Sequence, residues 1–163
     1  MKRFITLYFL FLGIFFTLFY ADTSVVSRFL NQGQTDVTLF FLDLFLKPGQ
    51  LNGIDIHINP NYKIIINQSC NGMIPILFLF ASIFAYSSTL LHKLLWMIIG
   101  YVLFFIVNVL RILMVVYSVE GEGGRGNFYW SHDLLGNTLL MLLGLGLFIA
   151  FIKTARVKTR AAI

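Results

Sequence analysis

Leu94–Tyr117 reads LLWMIIGYVLFFIVNVLRILMVVY, a run of 24 residues with a single charge, Arg111. As a helix it is about 36 Å long, enough to cross the roughly 30 Å hydrocarbon core of a bilayer. Three further blocks carry no charge at all: 4–20, 73–91 and 134–152. The whole chain follows suit, with 58% hydrophobic and 12% charged residues in 163. A soluble domain runs at about 45–50% and about 25%. Eighteen Phe and seven Tyr in so short a chain point to lipid contact. This composition excludes an ordinary soluble globule, a disordered tail and a nucleic-acid-binding module. The expected fold is an all-α membrane protein: one integral-membrane domain over 1–163, built as a four-helix bundle with spans at 4–20, 73–91, 94–117 and 134–152.

The placement of Lys and Arg orients the bundle. With the N-terminus in the cytoplasm, the inner side holds Lys2, Arg3, Lys93, Lys153, Arg156, Lys158 and Arg160, and the outer side holds Arg28, Lys47, Lys63 and Arg125. Both termini are then cytoplasmic in the cell membrane, His92-Lys93 forms a tight inner turn, and segments 21–72 and 118–133 are extracytoplasmic. Phe19-Tyr20-Ala21 lacks the small residue that a signal-peptide cut needs three places upstream, so the first span reads as a retained signal anchor. Val37–Leu46 is too short to cross and contains Asp43, which suggests a short amphipathic interfacial or re-entrant helix. Ile54, Ile56 and Ile58 alternate with Asp55, His57 and Asn59. With the turn signal Asn59-Pro60-Asn61 and the β-prone run from Tyr62, they suggest a small hairpin leading into the second span. Gly121, Gly123, Gly124 and Gly126 imply a mobile outer loop, either a lid over a site or a plain linker.

Three places do not fit a plain bundle. Cys70 is the only cysteine and lies just before the second span, in Gln68-Ser69-Cys70-Asn71-Gly72. It is either a small buried hydrophobe or a thiol activated by a helix N-terminus. In this stretch Gly72 permits a backbone conformation closed to other residues, and Asn71 is an N-cap candidate. Arg111 lies six residues before Tyr117, at a depth of about 9 Å. It either snorkels to headgroups or, with Asn108 one turn earlier on the same face, lines a polar pocket. An arginine inside the membrane costs at least about 2.5–3.5 kcal/mol on insertion scales. His132 opens the last span as a structural polar residue or a proton carrier, and Asp133 beside it is the natural N-cap. The assumed orientation puts Cys70, Arg111 and His132 at one membrane face. A thiolate to attack a carbonyl, an imidazole to move a proton and a fixed cation to hold an oxyanion are the parts of a cysteine acyl-transfer site.

The order Cys-Asn-Gly, then Asn-x-x-Arg, then His, each beside a helix end between Tyr62 and Gly136, resembles the exosortase/archaeosortase family of multi-pass cysteine transpeptidases. Cys70 and Gly72 match that family's Cys-Ser-Gly nucleophile motif, with Asn71 in place of the serine. Asn108 and Arg111 match its Asn-x-x-Arg element, and His132 matches its histidine. The resemblance implies a catalytic Cys70–Arg111–His132 site, with Asn108, Asn71, Gly72 and Asp133 in support. It also implies partners: exported proteins ending in a short motif, a transmembrane helix and a basic cluster, cleaved outside and passed to a membrane-lipid or envelope acceptor. The resemblance implies a short, minimal version of the family.

Other readings remain. A non-enzymatic scaffold or assembly partner explains the composition but not the thiol or the buried arginine. A transporter has little to work with, since the spans hold no carboxylate. Cys70, His57 and His132 show no paired metal-ligand spacing, and no cofactor motif is present; the expectation is neither metal nor cofactor.

Overall fold

The computed structural model describes residues 2–21, 24–60, 62–120 and 136–155. They form helices α1 (Lys2–Phe19) and α2 (Val25–Asp43), strands β1 (Leu51–Asn52), β2 (Asp55–Asn59) and β3 (Tyr62–Ile65), a 3-10 turn (Gln68–Asn71), and helices α3 (Met73–Ala85), α4 (Leu90–Glu120) and α5 (Asn137–Thr154). The chain is a mostly helical membrane protein. Among the described residues three helices, α1, α4 and α5, are long and apolar enough to cross a bilayer. Their outward side chains are apolar: Phe9 is 65% exposed, Leu91 80% and Met141 73%. In water such surfaces would aggregate; in lipid they are the solvated face.

The second expected span differs most. The block 73–91 contains not one 19-residue helix but the 13 residues of α3, about 20 Å long, so the expected four spans are three by length alone. The helix ends at Tyr86, whose φ of −78° and ψ of 143° are extended, and Ser87, Ser88 and Thr89 carry the chain into α4. The expected turn at His92-Lys93 is therefore displaced: both residues lie in the first turn of α4. The block is uncharged throughout, so charge gave no sign of the break. The hydroxyl side chains, which compete for backbone hydrogen bonds, were the available signal. α4 is correspondingly longer than expected, with 31 residues, and Ser118–Glu120 belong to it rather than to an external loop.

α3 is the central element, packed against α1, α4 and α5. Its core with α4 and α5 gathers Ile76, Ile83, Phe104, Leu140 and Phe151. A second core joins Leu42, Ile56, Ile66, Cys70 and Val116 beneath the sheet. That sheet is antiparallel in the order β1-β2-β3, with Ile56 opposite both Leu51 and Ile64. The expected hairpin is present as β2–β3, and β1 adds a strand. The alternation holds at Ile56, which is fully buried, but Ile54 sits in the β1–β2 turn and is 48% exposed.

α2 is the other departure. The run 37–46 is not a short helix by itself: its first part is the end of the 19-residue helix α2, whose N-cap Ser24 accepts from the Ser27 amide through its hydroxyl. At 3.6 residues per turn its side chains fall into three sectors. Ser27, Asn31, Gln34, Thr38 and Leu42 are buried against the protein. Phe29, Val37 and Phe40 form an exposed apolar stripe, and Arg28, Gln32, Asp36 and Asp43 an exposed polar one. A helix with one face for protein, one for lipid and one for water suits the membrane surface. Its far end is tied to α4 by the Tyr117 hydroxyl donating to the Phe45 carbonyl at 3.1 Å and by Lys47 pairing with Glu120 at 3.0 Å.

Candidate functional site

The 3-10 turn Gln68–Asn71 delivers Cys70 to the junction of the sheet, α2, α3 and α4. Gly72 follows with φ +65°, a left-handed conformation that reverses the chain into α3 without the clash a Cβ would bring. A Cβ at Gly72 would also meet Asn108 Cγ and Oδ1 at 3.1 Å. That close approach is used. Asn108 Nδ2 donates to the Cys70 carbonyl at 2.7 Å, and Asn108 Oδ1 accepts from Arg111 Nη1 at 3.2 Å. One buried amide thus connects the backbone of the cysteine turn to the guanidinium.

Arg111 is only 2% exposed, which excludes snorkelling. Its Nη2 donates to Asn137 Oδ1 at 3.1 Å, so α4 and α5 are joined through it. Gly136 lies against the same side chain: a Cβ there would come within 2.5 Å of Arg111 Nε. Cys70 and Arg111 line one cavity of about 130 Å³, walled by Tyr62, Ile64, Ile66, Ile112 and Val115. Cys70 itself is 9% exposed, and its sulfur lies 4.0 Å from the Ile65 carbonyl. Cys70 therefore shares a small pocket with a cation that cannot be neutralised.

Asn71 is not the N-cap of α3; Gly72 holds that position, without a side-chain cap. Asn71 is fully buried and turned toward α2 instead. Its Nδ2 donates to the Asn31 carbonyl at 3.2 Å and to Thr35 Oγ1 at 2.9 Å, while its own carbonyl accepts from Gln34 Nε2. The position next to the cysteine thus fastens the turn to the surface helix. The sequence reading missed this role, together with Gln34, Thr35 and Asn137. The signal lies in α2, where Ser27, Asn31, Gln34 and Thr38 recur at helical spacing, ahead of the more conspicuous apolar run.

His132 and Asp133 lie outside the described residues, as does the glycine-containing loop. Among the described residues no group of three or more His, Cys, Asp or Glu could hold a metal ion. Cys70, Asn71, Gly72, Asn108 and Arg111 do come together, with Asn137 added.

A family model described as transmembrane exosortase matches residues 1–150. No curated protein and no solved structure matches the chain.

Proposed function

The chain belongs to the transmembrane exosortase family, and on that premise we propose that it is a membrane-embedded cysteine transpeptidase that cleaves a C-terminal sorting signal of exported proteins. The observation that carries this reading is the shared cavity of Cys70 and Arg111, with Asn108 joined to both. Cys70 is the nucleophile. Its thiolate attacks the scissile carbonyl, and Arg111 and the amides at the start of α3 hold the oxyanion that forms. His132 gives a proton to the leaving amine and then takes one from the acceptor hydroxyl or water that resolves the thioester. Asp133 orients the start of the last span, and Asn71, Gly72 and Asn108 hold the cysteine turn. The active site faces the extracytoplasmic side, both termini are cytoplasmic, and α3 is the fourth membrane segment. The substrates are exported proteins with a short motif, a transmembrane helix and a basic tail, and the acceptor is a membrane or envelope component.

The test is cleavage of a reporter carrying such a tail, co-expressed with wild type and variants. Cys70→Ala is expected to abolish cleavage with insertion and melting temperature intact, Cys70→Ser to be nearly inactive, and His132→Ala to slow acylation by about 10²–10⁴-fold. Cleavage by Cys70→Ala at the wild-type rate would overturn the reading and leave a scaffold as the better one.

A further inference from the structure

A second and larger cavity, about 580 Å³, opens at the end of the bundle opposite Cys70, between the start of α1, the α3–α4 turn and the end of α5. Its volume falls in the range of small-molecule sites, about 300–1,000 Å³. Phe4, Phe84 and Phe148 form apolar walls, and two cations, Arg3 and Lys93, stand at its lining. None of the lining side chains is acidic. The two ion pairs found among the described residues, Lys47–Glu120 and Lys63–Asp55, both involve the sheet end of the molecule. In sequence, the chain beyond Ala155 carries Arg156, Lys158 and Arg160 and no acidic side chain.

Lys93 is held in place. Its Nζ donates to the Phe84 carbonyl at 2.8 Å and lies 5.6 Å from the centre of the Phe84 ring. An ammonium has three donors, so two remain for a ligand. Ser88 also lines the cavity, and its Oγ is buried with no hydrogen-bond partner among the described residues. The site therefore presents two positive charges, that of Lys93 held in place, with a buried hydroxyl and aromatic walls, on a molecule whose surrounding surface is apolar.

From this arrangement we propose that the cavity binds an anionic phospholipid. The phosphodiester sits between Arg3 and Lys93 with the Ser88 hydroxyl donating to it, and the acyl chains lie along Phe4, Phe84 and Phe148. A phosphate supplies the missing counter-charge, and two acyl chains match walls that a soluble anion would leave dry. A zwitterionic headgroup would bring a choline cation against the arginine and lysine. The proposal is independent of the reading of Cys70 and holds whichever leaflet this end faces.

The full-length protein, purified in detergent, is titrated with dioleoyl-phosphatidylglycerol, dioleoyl-phosphatidylcholine and inorganic phosphate, and read by native mass spectrometry and thermal unfolding. The expected result is one retained phosphatidylglycerol and a rise in melting temperature, with at least about tenfold weaker binding of phosphatidylcholine. Arg3→Gln and Lys93→Gln are each expected to weaken phosphatidylglycerol binding about tenfold, whereas Lys2→Gln, which removes a neighbouring cation outside the cavity, leaves it unchanged. Arg3 is exposed, so its substitution tests the site even where Lys93→Gln fails to fold. Equal binding of the two lipids overturns the proposal. So does an equal response of the Arg3 and Lys2 variants, or full stabilisation by inorganic phosphate alone.

Discussion

Arg111 uses two separate nitrogens, one to Asn108 on its own helix and one to Asn137 on α5. A lysine has one nitrogen on a flexible stem and cannot hold both amides in a fixed fork. Arg111→Lys is therefore expected to insert normally and to cut reporter cleavage by about 10²–10³-fold, the range for loss of one directed oxyanion donor. A lysine variant cleaving at near the wild-type rate would show that charge alone suffices. Gly136→Ala tests the same side chain from outside. Its Cβ would intrude to 2.5 Å from Nε, so the guanidinium must move; a loss of activity with about 1–3 kcal/mol of destabilisation is expected, read by cleavage and thermal melting together. At this scale Asn108 and Arg111 were legible because each breaks an apolar run, and Cys70 because it is the only cysteine and stands just before an apolar block. Asn137 was not, because a polar residue in the first turn of a helix has many ordinary reasons to be there.

The least legible element was α2. A hydropathy scan finds apolar stretches, and α2 hides its polar stripe in the protein while showing Phe29 and Phe40 outward. That is an inside-out arrangement by the standards of a soluble helix. Its hydrogen bonds to Asn71 are what connect it to the cysteine turn. Gln34→Leu removes the donor to the Asn71 carbonyl and is expected to cost about 1–3 kcal/mol, since a buried acceptor loses its partner. Gln32→Leu, two residues earlier on the exposed face, is expected to stay within about 0.5 kcal/mol. Equal melting temperatures for the two variants would remove α2 from the support of the site. By contrast β2–β3 was legible in advance, since Asn59-Pro60-Asn61 punctuates a period-two pattern and register follows from which isoleucines are buried.

For the whole molecule, composition alone was enough to identify a multi-pass membrane protein, and the apolar blocks found α1, α4 and α5. The boundary between α3 and α4 was misplaced because the positive-inside rule locates charges, and a charge one turn inside a helix looks like a charge in a loop. Orientation is tested by single cysteines placed in a Cys70→Ala background. Lys47→Cys is expected to react with an impermeant maleimide on intact cells, and Thr154→Cys only after permeabilisation; the reverse pattern would invert the topology. The pairing of Arg111 with α5 has a consequence for how the protein is made. In chain order Leu90–Leu110, with Lys93 its one charge, is made before Arg111, and Asn137, the partner that Arg111 holds on α5, follows later still. The guanidinium is therefore synthesised beside Asn108 but ahead of the amide that ties it to α5, and its set of partners is complete only once α5 has been made.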